Sequence, residues 1–331
     1  VDGNQSTARF FSISAMTAYS SANDSLALVY IMDQRTIRKV DAASMTVSTL
    51  AGSSDAPAGY VNGVGPAATF LDGPTYLAAG LAAGDSVLVS QPASHCIRLV
   101  NHALQAVTLE GVCGTAGRLS SPGPLIVDLT VMVPPVYVAD SGNDAIRKIL
   151  ADNSVVTIAG VGPQTAPASV DGVGVLATMD YPQCLGIDGS GLLYVTAFWD
   201  LSVRVIDTAN SNIVTAILSG FNDISSVKAN HDTSIIYVAD YAAAKVFAYG
   251  VAQPAVTASP AAPTAGALSW TAGDGTTACK SGTRAVGQIW YPYGLATDPV
   301  SGGIVEMMRP AVADTIRQSA ASRFGLTQGS S

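Results

Sequence analysis

Three histidines, four cysteines and a scatter of aspartates are the residues whose chemistry could reach beyond packing. A histidine metal site needs several ligands converging on one open position. His95 and His102 flank one hairpin and His231 stands apart, so their spacing matches no zinc pattern. No cofactor is expected. Ca²⁺ is the one ion the remaining donors would suit, because it takes carboxylate and carbonyl oxygens. The carboxylates placed to supply them are Asp2, Asp72, Asp171, Asp188 and Asp298. The sequence has no Gly-x-Ser-x-Gly elbow, phosphate-binding loop or Cys-x-x-Cys pair, and no residue is assigned a catalytic role.

The cysteines carry a redox expectation. Cys96 and Cys113 sit at the two ends of a hairpin that turns near His102-Ala103. Neighbouring strands bring Cα atoms within the roughly 7 Å that a disulfide needs, so these two are expected to be bonded. A bond between Cys184 and Cys279 is left open. Two Asn-x-Ser sequons, at Asn4 and Asn23, fall in expected loops and are candidate glycosylation sites. Among the aromatics, Phe198 and Trp199 stand where related segments have small polar residues, which marks them as candidate partner contacts. Trp270, Trp290, Tyr291 and Tyr293 are further candidates of the same kind.

These residues must be positioned by something, and composition says what. Charged residues make up 12% of the 331-residue chain and hydrophobic ones 48%. That suits a large buried core rather than a disordered chain. The net charge of −8 opposes binding to phosphate backbones, and the basic residues form no run, so no nucleic-acid partner is expected. No apolar run is long enough for a membrane-spanning helix, and no direct membrane insertion is expected. The chain begins at Val1 without a signal-like leader, as would a mature secreted protein or one domain of a longer one.

An internal repeat sets the architecture. An apolar strand ends in Asp or a small polar residue, a short turn follows, and a second strand opens on Ile-Arg or its equivalent. The phrase occurs at residues 28–40, 87–100, 136–149, 193–206 and 236–249, and in weaker form at 303–317. Flanking segments repeat too: Val61-Asn62-Gly63-Val64-Gly65 matches Val170-Asp171-Gly172-Val173-Gly174, and the chain opens on Val1-Asp2-Gly3. Short β-branched and aromatic runs between Gly, Asn and Asp turns make antiparallel hairpins. Repeated radially, they leave only short protected edges. The expectation is an all-β, six-bladed β-propeller of four-stranded antiparallel blades, a single unit over 1–331. Its blades would lie near 8–52, 70–111, 122–160, 181–220, 224–273 and 290–328. Asp33, Asp140 and Asp240 should accept from nearby backbone N–H groups, and the Arg or Lys after Ile should lie on the solvated side of the third strand. Both termini fall at a blade boundary, so residues 10–14 should not form the outer strand of the final blade.

The run Val136-Tyr137-Val138-Ala139-Asp140-Ser141-Gly142-Asn143-Asp144-Ala145-Ile146-Arg147-Lys148-Ile149 resembles the core pattern of the NHL-repeat β-propellers, and the likeness covers nearly the whole chain. That family includes binding modules, RNA readers and a few enzymes, such as amidating lyases and calcium-dependent lactonases, so the resemblance implies a fold rather than a task. The expected function is a non-catalytic, extracellular or cell-surface interaction module, with protein partners or self-association in an assembly. The alternative is a Ca- or Zn-dependent lactonase- or lyase-like propeller enzyme.

Overall fold

In the computed structural model the described residues are 1–19, 28–73, 75–79, 86–101, 103–111, 113–114, 118–162, 169–230, 235–252, 264–272, 292–297 and 304–308. They are almost wholly strand and turn, with four single-turn 3₁₀ segments. No helix among them is long and apolar enough to cross a membrane.

The chain is a β-propeller. Blade one comprises β1 (Gly3–Asn4), β2 (Ile13–Tyr19), β3 (Leu28–Asp33), β4 (Thr36–Asp41) and β5 (Thr46–Gly52). Blade two comprises β6 (Gly63–Val64), β7 (Tyr76–Ala79), β8 (Val87–Gln91), β9 (Cys96–Val100) and β10 (Gln105–Gly111). Blade three has β11 (Pro122–Val127), β12 (Val136–Asp140), β13 (Ala145–Ile149) and β14 (Val155–Ala159). Blade four has β15 (Gly172–Val173), β16 (Pro182–Ile187), β17 (Leu192–Ala197), β18 (Ser202–Asp207) and β19 (Ile213–Leu218). Blade five has β20 (Ile224–Ala229), β21 (Ile235–Asp240), β22 (Lys245–Ala252) and β23 (Thr264–Ala272). The inner strands β2, β7, β11, β16 and β20 pack side by side in chain order.

Burial explains why the blades need one another. Strands buried on both faces read as continuous apolar runs rather than alternating ones, and β8, β12 and β17 are buried at every position. The core is therefore a series of layers between blades. Tyr30, Met32 and Ile37 of blade one meet Val87, Val89 and Val100 of blade two around Phe70. Leu88 and Ile97 meet Val136, Val138 and Ile149. Tyr137 and Ile146 meet Leu193, Val195 and Ile206, and Tyr194 and Val205 meet Val227, Ile236 and Val238.

The blade count corrects the sequence expectation: five blades, not six. The sixth copy of the phrase contributes a hairpin, β24 (Pro292–Thr297) with β25 (Ile304–Met308), and β24 packs on β20 and β21. This copy departs from the others in composition. Its strand ends in Met307-Met308 where blades one, three and five end in Asp. Its second half, 314–317, lies outside the described residues.

Two refinements concern strand number and the N-terminus. Blades one, two and four carry a fifth, two-residue outer strand, supplied by the connector that precedes each blade: β1 on β5, β6 on β10 and β15 on β19. Residues 10–14 do not form the outer strand of the final blade. Ile13 onward is the inner strand of blade one.

Candidate contact surface

The aspartates at the ends of the second strands act as anchors. Asp33 Oδ1 accepts from the backbone N–H groups of Phe11 and Ser12, each at 2.8 Å. Asp140 Oδ1 accepts from Ser120 N at 2.7 Å. Asp240 accepts from the N–H groups of Asn222, Asp223 and Ala243. Gln91 takes this place in blade two, with Oε1 accepting from Leu71 N at 3.1 Å and Nε2 donating to Leu71 O at 2.7 Å. Each anchor fixes the segment that leads into its own blade's inner strand.

Three of the four recurring arginines correct a second expectation, since Arg38, Arg98 and Arg204 are buried rather than solvated. Arg38 and Arg98 are each 2% exposed and Arg204 is 5% exposed. Arg38 donates to Asp33 Oδ2 at 3.0 Å, Asp2 Oδ1 at 2.9 Å and Val1 O at 2.8 Å. Arg204 donates to Asp171 Oδ1 at 2.5 Å, Asp200 Oδ2 at 3.2 Å and Ser169 O at 2.6 Å. Arg98 donates to Thr69 O and Val61 O at 2.5 and 2.7 Å and lies over the Phe70 ring. Burial lowers the Arg98 guanidinium to about 10. Strand alternation places these side chains on an outer position, and the connector folds back over them.

The carboxylates considered for Ca²⁺ are dispersed. Asp2 belongs to Arg38 and Asp171 to Arg204. Asp72 pairs with Arg35 at 3.6 Å. Asp188 closes its own turn through Ser190 and accepts from the Tyr194 hydroxyl at 2.9 Å; burial and this carboxylate push the Tyr194 hydroxyl up. Among the described residues no three His, Cys, Asp or Glu converge as metal ligands would. His95 Nδ1 accepts from Ser121 N at 3.0 Å. Asp298, His102 and His231 lie outside the described residues.

Cys96 and Cys113 are bonded, with Cα atoms 5.0 Å apart. Cys184 is a buried thiol whose titration burial pushes up, and Cys279 lies outside the described residues. Asn4 is exposed, with its side-chain oxygen capping the turn at Ser6 and Thr7; Asn23 is outside the described residues.

Phe198 and Trp199 occupy the turn between β17 and β18, and both reach solvent, Trp199 at 66% exposure. Their rings meet edge to face at 4.7 Å, and Phe198 meets Tyr181 at 6.2 Å. Tyr181 is 40% exposed and is fixed by its N–H to Asp144 Oδ1 at 2.9 Å and by its carbonyl, which accepts from Phe198 N at 3.1 Å. Three carboxylates lie near one another at this turn: Asp144, which accepts from Tyr181 N, Asp180, and Asp200, which also pairs with Arg204. Burial first, then the negative Asp144 and Asp200, raise the Asp180 carboxyl above its ordinary value. Sequence reading missed Tyr181 and this acidic frame, because Tyr181 lies in a connector remote in sequence from residue 198. The side chains of Trp270 and Tyr293, and all of Trp290 and Tyr291, lie outside the described residues.

No family model matches the chain, and no curated protein does. Among solved structures it is similar to a structural-genomics protein of unknown function from Bacteroides thetaiotaomicron. That match has a TM-score of 0.43 and 16% identity, and covers 72% of this chain and 69% of the other.

Proposed function

We propose that the chain is a non-catalytic protein-interaction module working outside the cytosol, built from NHL-type repeats, and that it meets its partner through Tyr181, Phe198 and Trp199. One observation carries this reading. An aromatic trio stands exposed and mutually packed at a turn, and rigid aromatic rings are the side chains that dominate interface energetics. Loops held by a rigid scaffold are where recognition concentrates. Asp144 and Asp180 beside Tyr181 favour a partner surface carrying positive charge, since an aromatic face attracts a cation and the carboxylates add negative charge. The disulfide supports an oxidising compartment. Self-association is included, with a second copy as the partner.

The test compares wild type with Phe198→Ala/Trp199→Ala by sedimentation and by cross-linking in native material. The expected result is weaker association by roughly tenfold or more, the range of an interface anchor, with an unchanged melting curve. Unfolding of the double variant would show that the rings are core. Stoichiometric Ca²⁺ or Zn²⁺ in the purified protein, with turnover lost on chelation, would overturn the non-enzyme reading.

A further inference from the structure

Four blades place an arginine at the same point of the third strand: Arg38, Arg98, Arg147 and Arg204. Each is paired across the ladder with a residue of the outer strand, respectively Thr49, Thr108, Thr157 and Ala216. In three of these blades that pair of positions holds the connector that precedes the blade. Asp2 receives Arg38 Nη2 at 2.9 Å, Thr49 N at 2.9 Å and the Thr49 hydroxyl at 2.8 Å. Asp171 receives Arg204 Nη1 at 2.5 Å and Ala216 N at 2.9 Å. Asn62 receives the Thr108 hydroxyl at 3.2 Å, while Arg98 takes the connector's carbonyls. In all three the residue after that Asp or Asn opens the two-residue outer strand.

Among the described residues, blade three has the receptor without this cargo. Its connector is short, residues 112–121 against 53–75 and 160–181 for blades two and four. It contains no Asp or Glu, and its Cys113 is tied back to blade two. Blade three accordingly ends at β14, with no fifth strand among the described residues. Arg147 keeps its anchor, donating from Nε to Asp140 Oδ2 at 2.8 Å, and its Nη1 donates to the Thr157 hydroxyl. Its side chain is 21% exposed, against 3% for Arg38 and 6% for Arg204. A pocket of about 430 Å³ opens beside it, lined by Arg118, Asn143, Arg147, Thr157, Gly160 and Val175 among others. Blade five makes the contrast. Its connector is shorter still, residues 219–223, and the equivalent position is Phe247, packed on Phe221 and Tyr249. A blade with a short connector thus needs no arginine there, yet blade three has one, and Arg118 also lines the pocket.

We propose that this pocket is a binding site for an extended acidic segment of a partner protein. An Asp or Glu carboxylate of the partner is received by Arg147 and Thr157, and the residue that follows adds a short strand to β14. Main-chain pairing to a sheet edge supplies affinity, and the guanidinium selects the acidic side chain. This site is independent of the aromatic patch, although both border the turn from Ser141 to Ala145.

The chain supplies its own probe. An N-acetylated peptide of residues 1–10 carries the Asp2-Gly3 that fills the equivalent place in blade one. Its binding to the full chain is measured by titration calorimetry, against the same peptide with Asp2→Ala and against acetate alone. Saturable binding of the first peptide is expected, at least tenfold weaker for the Asp2→Ala peptide. Thr157→Val should weaken it at least fivefold while melting as wild type does, and Arg147→Lys at least fivefold under conditions where it is folded. Thr157→Val keeps the Arg147–Asp140 pair, so the test survives if Arg147→Lys fails to fold. Equal binding of the two peptides, no binding of either, binding insensitive to Thr157→Val, or acetate competing at the peptide's own affinity would overturn the proposal. Phe198→Ala/Trp199→Ala should leave this binding unchanged, so its failure and that of the aromatic contact are read separately.

Discussion

Replacing Arg38 by Met tests whether the buried arginines hold the connectors to the blades. Met is unbranched and apolar, so it fills much of the same channel while removing the charge. The change strands Asp33, whose side chain is 6% exposed, and releases Asp2 and the carbonyl of Val1. Breaking a buried ion pair by removing one partner costs about 3–5 kcal/mol, because the other charge stays buried. At roughly 2.1 cal/mol/K of unfolding entropy per residue a 331-residue chain shifts by about 1.4 °C per kcal/mol, which puts the expected fall in Tm at about 4–7 °C at neutral pH. The pH dependence has a definite sign. Burial raises the Asp2 carboxyl, but the Thr49 N–H, the Thr49 hydroxyl and Arg38 outweigh it, and the folded value is lowered. A depressed carboxyl contributes stability above its unfolded value, and that stability is lost as pH falls through the folded value. The gap between wild type and Arg38→Met should therefore narrow in acid. Adding Asp33→Asn and Asp2→Asn to Arg38→Met should recover part of the loss, since it removes the uncompensated charges. Thermal and urea unfolding from acid to neutral pH make the measurement. A loss below about 1 kcal/mol, the level of an exposed pair, or no recovery in the triple variant would refute the latch argument.

Two further outcomes follow from the same geometry. Removing the Cys96–Cys113 bond, which closes a sequence separation of 17, should cost about 3 kcal/mol on the chain-entropy estimate, seen as a lower urea midpoint; peptide mapping of native material without reduction should recover the two peptides linked, and free thiols would count against the bond. Asp180→Asn should raise Tm at neutral pH: the folded Asp180 carboxyl is raised by burial, Asp144 and Asp200, so the stability tied to its protonated form is lost as pH rises through that value, and a gain that persists below the carboxylate range would show another cause.

Much of the fold was legible because a propeller repeats its instructions. The Tyr-Val-Ala-Asp strand and the Ile-Arg strand after it recur with their turns, and their ranges coincide closely with the observed strands of blades one, three and five. Cys96 and Cys113 were legible for a related reason, since a hairpin converts sequence separation into proximity. The blade count was not legible, because the sixth copy, though weaker, still repeats the phrase, and counting phrases does not separate a copy that completes a blade from one that contributes a hairpin. The aromatic patch was half legible. Phe198-Trp199 breaks the repeat and so announces itself, whereas Tyr181 joins only through a long-range contact.

The arginines show why a repeat can mislead as well as inform. Period-two alternation puts Arg38, Arg98, Arg147 and Arg204 on one side of their strand, and a lone strand would leave that side to water. What covers them is the connector, whose length varies from blade to blade while the strands do not. A residue conserved in type around the ring thus meets different neighbours: a carboxylate at Asp2 and Asp171, carbonyls at Val61 and Thr69, an open pocket beside Arg147. The blades specify the scaffold, and individuality enters through the connectors. Of the two surfaces proposed as contacts, the pocket at Arg147 lies where a connector is shorter than those of blades two and four, and the rings lie where the β17–β18 turn of blade four carries Phe198 and Trp199 and meets Tyr181 of the connector.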